Sequence, residues 1–146
     1  MRSNVDDEVA RPLAFPHARV AQVRIARPTK RLEEVVKFYR DGLGLPELTR
    51  FKDHDGYDGV MLGLPDATYH LELTQETRGG PSPAPSADDL LVLYIPDASE
   101  LVSLCERLNR QGYRPVAPQN PYWLRHSVTF EDPDGWRVVL SNTHGI

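Results

Sequence analysis

His70 and Glu72 stand two positions apart in the run Tyr69-His70-Leu71-Glu72-Leu73-Thr74-Gln75, where polar and apolar residues alternate. In a strand that spacing projects both side chains from one face, with Cβ atoms roughly 7 Å apart, and Thr74 follows them. An imidazole and a carboxylate so placed can share one cation. A carboxylate in an apolar recess can instead act as a general base, because desolvation raises its pKa. The plainer reading of His70 is a hydrogen-bonding wall residue. Elsewhere, Asn120-Pro121-Tyr122-Trp123 reads as a loop whose rings either stack on a flat ligand or cover the rim of a core, and Tyr57 poses the same alternative. Cys105 falls on an apolar helical stripe with Leu101, Leu104 and Leu108, which makes it a packing residue and not a nucleophile.

The chain around these groups has 146 residues, enough for one domain or two very small halves. With 40% hydrophobic and 26% charged residues it has a globular composition, and its net charge of −4 argues against a polyanion-binding surface. Lys30-Arg31 and the Arg107/Arg110 pair read as solvated helix faces, so neither nucleic acid nor a membrane is an expected partner. No apolar run reaches the roughly 18 residues of a membrane span, and Met1–Glu8 lacks a signal-peptide core, so a cytoplasmic location is expected. A single cysteine excludes an internal disulfide and any cysteine-rich zinc site.

The elements follow from periodicity. Residues 1–17 show no period and read as an N-terminal arm, disordered in expectation. Residues 19–26 alternate, with Val20, Gln22 and Arg24 on one face. Thr29 can cap a helix bearing Leu32, Val35, Val36 and Tyr39, which Gly42 and Gly44 end. Residues 57–64 and 69–75 are strands. Gly79–Ser86, rich in Pro and Ser, reads as a linker within residues 79–88. The order then starts over. Leu90–Ile95 is a strand, Asp97 with Glu100 has capping-box spacing, and Gly112 closes the helix they begin. Strands at 125–130 and 136–141 flank the Asp132-Pro133-Asp134-Gly135 turn. Each half, 18–78 and 89–146, is thus a strand, a helix, then two or three strands. Neither half can bury its sheet alone, so the expected class is α+β, two such modules packed together.

Two segments carry a resemblance. Phe38-Tyr39-Arg40-Asp41-Gly42-Leu43-Gly44-Leu45 resembles the close of the first helix in the vicinal oxygen chelate superfamily, and Phe130-Glu131-Asp132-Pro133-Asp134-Gly135-Trp136 resembles its last turn. That group includes glyoxalase I, bleomycin-resistance proteins, fosfomycin-resistance enzymes and extradiol dioxygenases. The resemblance implies two βαβββ modules curling round a ligand cavity, usually completed in a homodimer. It also implies metal-ligand positions near Val20, at Glu72, at Leu90 and at Val139. Only Glu72 has a donor, with His70 the one neighbour able to help, so no metal and no other cofactor is expected. By strand parity the implied cavity wall holds Gln22, Arg24, His70, Glu72 and Thr74 from the first half. The second half adds Val92, Tyr94, Arg125, Ser127, Thr129, Arg137 and Ser141, with Trp123 at the mouth. Trp136 falls on the opposite face and is expected in the core. A buried Glu72 needs a counter-charge, which Arg24 or Arg125 would supply, and such a pair also suits a ligand carboxylate or phosphate.

Three functions fit these residues. The first is a metal-independent protein that binds or sequesters a small molecule. The second is a lyase, isomerase or dioxygenase-like enzyme using Glu72 as base or metal ligand. The third is an interaction module with a vestigial cavity.

Overall fold

A computed structural model describes residues 20–64 and 69–146. The arm expected over residues 1–17 lies outside them. In the first module β1 (Val23–Pro28) leads into the short helix α1 (Leu32–Val36), which widens into a π-helical turn (Lys37–Gly42). Three strands follow: β2 (Glu47–His54), β3 (Tyr57–Gly63) and β4 (Tyr69–Glu76). The second module repeats the plan with β5 (Leu90–Tyr94), α2 (Ala98–Arg110), β6 (Pro115–Val116), β7 (Ser127–Glu131) and β8 (Arg137–Ser141). Each module forms a four-stranded sheet, ordered β1-β4-β3-β2 and β5-β8-β7-β6. The first strand of each runs parallel to the last and the remaining pairs are antiparallel. Both modules therefore have three strands after the helix.

Local chemistry explains the boundaries. Asp97 caps α2 as expected, its Oδ1 accepting the amides of Ser99 and Glu100 at 2.8 and 3.1 Å. Thr29, expected as the helix cap, instead lies two residues before the N-cap position, which Arg31 occupies without a side-chain cap. Its Oγ1 accepts from the Arg31 amide, and the first helical amide, Leu32, donates instead to Gln75 Oε1 on β4 at 2.9 Å. In the π-helical turn the Leu43 amide reaches back five residues to the Phe38 carbonyl, and Phe38 and Tyr39, three and four residues after Val35, share its buried face.

The two sheets lay their backs on one shared core. Leu62, Leu71 and Leu73 come from the first sheet and Leu91, Phe130, Val138 and Leu140 from the second, with Val36, Phe38 and Leu108 of the helices between them. The opposite face of each sheet points away from that core. Gly42 permits the close packing, because a Cβ there would stand 2.7 Å from Leu108 Cδ2. Beside it Arg107 Nε donates to the Gly42 carbonyl and Gln111 Nε2 to that of Asp41.

One polar joint crosses the core. Tyr39 donates its hydroxyl proton to Asp132 Oδ2 at 2.7 Å, and Arg27 Nη1 donates to the Tyr39 oxygen at 3.3 Å. Asp132 Oδ1 accepts the amides of Asp134 and Trp136, so the turn and the joint share one carboxylate. Trp136, expected in the core, is only half-buried and lies under the Arg27 guanidinium, 4.5 Å from its ring centroid. Burial raises the Asp132 carboxyl above the usual range, and burial followed by the Asp132 charge raises the Tyr39 phenol well above its own.

Two outcomes follow. Tyr39→Phe leaves Asp132 Oδ2 without its donor and should lower the unfolding free energy by about 1–3 kcal/mol in urea titrations. An acid with a raised folded-state pKa contributes stability that is fully present below its unfolded pKa and is lost as pH rises through the folded value. The stability of the wild type relative to Asp132→Asn should therefore increase as pH is lowered from about 7 to about 4, read as the difference between their urea midpoints.

Candidate functional site

The outward face of the first sheet gathers part of the expected site. β1 and β4 pair so that Arg24 lies opposite His70 and Ala26 opposite Glu72, while β3 sets Met61 on the other side of Glu72. Arg24 Nε donates to His70 Nε2 at 3.0 Å, and Arg24 Nη1 stands 3.6 Å from Glu72 Oε2. Arg24 is thus the partner of Glu72. The other candidate, Arg125, is on the second module. A histidine accepting at Nε2 carries its proton on Nδ1 when neutral, and that atom is buried with no hydrogen-bond partner among the described residues. Burial falls off along the triad. His70 is 5% exposed and the Glu72 side chain 13%, but the Arg24 side chain is 47% exposed. Gln22 precedes β1 and joins His70, Tyr69, Gly63, Leu64, Pro46 and Leu48 around a pocket of about 220 Å³.

The remaining expected residues collect on the second sheet. Tyr94, Trp123, Arg125 and Ser127 line a pocket of about 230 Å³ with Tyr122, His126 and Ser141. Ser127 Oγ lies 3.1 Å from Ser141 Oγ, its partner across β7 and β8. The stretch read as a loop is a 3-10 turn, Pro121–Leu124, closed by Asn120 Oδ1 on the Tyr122 amide. It stacks Tyr122 edge-on against Trp123. Thr129 shares this face but is 2% exposed, and its hydroxyl has no partner among the described residues. Arg137 is committed to Glu131 and the Ala117 carbonyl. Sequence reading missed Met61, which touches Arg24 through its sulfur, and His126, held at a φ of 56° beside the pocket. An alternation pattern gives no sign of either.

The implied metal positions do not assemble a metal site. Val20 lies before β1 and is 55% exposed, a correction to its placement on the first strand. Leu90 and Val139 offer no donor, and no group of three His, Cys, Asp or Glu side chains converges among the described residues. His70 and Glu72, the two donors that are adjacent, both face the Arg24 guanidinium.

Two sheets of this topology, each a strand, a helix and three strands, on a common core define the chain as a member of the vicinal oxygen chelate superfamily. The models of the YycE-like N-terminal and C-terminal domains match residues 23–74 and 88–142, and the chain belongs to the YycE-like family. It is 51% identical over 132 residues to the uncharacterized protein YycE of Bacillus subtilis strain 168, covering 90% of this chain and 95% of that one. The crystal structure of YycE, described as a candidate glyoxalase/fosfomycin resistance protein, superposes with a TM-score of 0.86 at 50% identity, covering 91% of this chain and 97% of its own. The Leishmania major trypanothione-dependent glyoxalase I matches with a TM-score of 0.65 at 22% identity, over 86% of this chain and 88% of that one. TnmS3, an antibiotic binding protein from Streptomyces sp. CB03234, matches with 0.62 at 22% identity, over 86% and 98%. At those identities the last two show the fold alone.

A double-mutant cycle measures the charged pair. Combining Arg24→Ala with Glu72→Gln should give a coupling below about 1 kcal/mol in urea unfolding, because water screens the half-exposed guanidinium.

Proposed function

We propose that this protein is a metal-independent small-molecule binding protein of the glyoxalase/bleomycin-resistance type, acting in the cytoplasm to hold or sequester its ligand. The supporting observation is the Arg24 guanidinium bound between His70 and Glu72. Those two groups are the neighbouring donors that a divalent ion would need, and a cation already stands against both, hydrogen-bonded to His70 and at ion-pair distance from Glu72. The polar fixtures on each outward sheet face are few and stand beside apolar surface, which suits recognition of one small molecule. The two pockets lie on different sheets of one chain, and β1 and β5 each have a free edge among the described residues. A homodimer that brings the first sheet of one protomer to the second sheet of its partner would cover those edges and close a cavity. Exposed Val20, Val23, Tyr94, Tyr122 and Leu124 supply apolar surface for that association.

Glu72 supports a second reading as a general base. Its contact with Arg24, at 3.6 Å, is longer than a hydrogen bond and leaves carboxylate lone pairs available to a substrate proton.

Elemental analysis of protein purified without chelators should find no stoichiometric transition metal. About one zinc, nickel, iron or manganese per chain, lost in Glu72→Gln, would overturn the binding-protein reading. Light scattering at micromolar concentration should give twice the 16.5 kDa of one chain. If Glu72→Gln abolishes turnover of a screened substrate while binding persists, the enzyme reading replaces the first.

A further inference from the structure

Arg24 is held unlike an ordinary surface arginine. Its Nε is anchored on a buried imidazole, its Nη2 faces only the Met61 sulfur at 3.6 Å, and its Nη1 reaches Glu72 at ion-pair distance. Among the described residues no oxygen accepts a hydrogen bond from either terminal nitrogen. A guanidinium presents its N–H donors as a rigid planar fork matched to a carboxylate or phosphate, and one anchored at Nε has already lost much of its rotamer freedom. The anchoring end is buried and the fork is half-exposed. That is the construction of a receptor: a fixed base, with an open pair of donors turned to the ligand side.

Two features define what the fork would take. Glu72 stands beside it with spare acceptor capacity, so the position next to the anion must carry a donor. The pocket of about 220 Å³ shares His70 with the triad and is otherwise lined by Gln22 and the mostly apolar Pro46, Leu48, Gly63, Leu64 and Tyr69. An engineered cavity of about 150 Å³ accommodates benzene, so this one has room for a single ring. We propose that the first-sheet site binds 2-hydroxy or 2-amino acids with an apolar side chain. Arg24 receives the carboxylate, Glu72 accepts from the neighbouring hydroxyl or ammonium, and the side chain enters the pocket beside His70. The proposal rests on the binding-protein reading and gives it a ligand class.

Isothermal titration of the full-length protein with three probes tests it: 3-phenyllactate, 3-phenylpropanoate and 2-phenylethanol. Phenyllactate should bind at least tenfold more tightly than phenylpropanoate, and phenylpropanoate more tightly than the alcohol. Arg24→Gln should remove the advantage of both acids over the alcohol. Arg24→Lys keeps the charge without the fork, and it should weaken phenyllactate by about tenfold. It is also the check on a variant that fails to fold. Glu72→Gln should reduce only the gap between phenyllactate and phenylpropanoate. Equal binding of all three probes, acid binding that survives Arg24→Gln, or no binding of phenyllactate by the wild type would each overturn the assignment. In the first two cases the protein still binds small molecules and the broader reading stands. That reading falls separately, on the metal content.

Discussion

The hydrogen bond from Tyr39 to Asp132 is the constraint on which the rest of the architecture turns. It joins residues 93 positions apart in sequence and ties the first helix of one module to the last turn of the other. Desolvating a carboxylate is costly, and the joint offsets that cost by giving Asp132 a phenolic donor and two backbone amides at once. Because the same carboxylate holds the Asp132–Gly135 turn through Oδ1 and receives Tyr39 at Oδ2, the turn and the module interface share one group. Arg27 extends the joint by bonding Tyr39 and covering Trp136, and through β1 the interface connects to the strand that carries Arg24.

The consequence for the site is one of facing. With helices and sheet backs committed to a shared core, the faces that carry polar fixtures are turned outward, one per module. The first holds a charge-balanced triad and the second an aromatic, hydroxyl-rich recess. A guanidinium between His70 and Glu72 differs from a metal ion in kind. It donates directed hydrogen bonds in a plane and accepts no electron pair, so it suits recognition of an anion by shape and charge more than Lewis-acid activation.

Much of this was legible in the sequence because the period of two is rigid. Once Tyr69–Gln75 is a strand, His70 and Glu72 must share a face, and the core side is equally fixed by Leu71 and Leu73. Two strands were hidden for physical reasons. β2 buries almost nothing along its length, so it has no apolar alternation to read, and β6 is only two residues long. The choice between Arg24 and Arg125 needed the parallel register of β1 on β4, which pairs distant segments and leaves no local trace. Both family-like segments were visible, but that their Tyr39 and Asp132 are bonded to each other was not. Strand parity placed Ser127 and Thr129 on one face without distinguishing an accessible hydroxyl from a buried one, and Thr129 proves to be the buried one.

The bond from the Leu32 amide to Gln75 has a kinetic meaning. The helical segment, five α-helical residues followed by six in the π-helical turn, is below the length that persists alone in water, so it has little independent existence. Its first amide is closed by a side chain 43 residues further on, from the strand that also carries His70 and Glu72. The helix therefore completes only when β4 has docked beside β1. Its opening is coupled to loss of the sheet, so the Leu32 amide should exchange with solvent deuterium at the rate of the module's cooperative unfolding and not by end fraying. The floor of the candidate site and the start of the helix behind it thus belong to one cooperative unit.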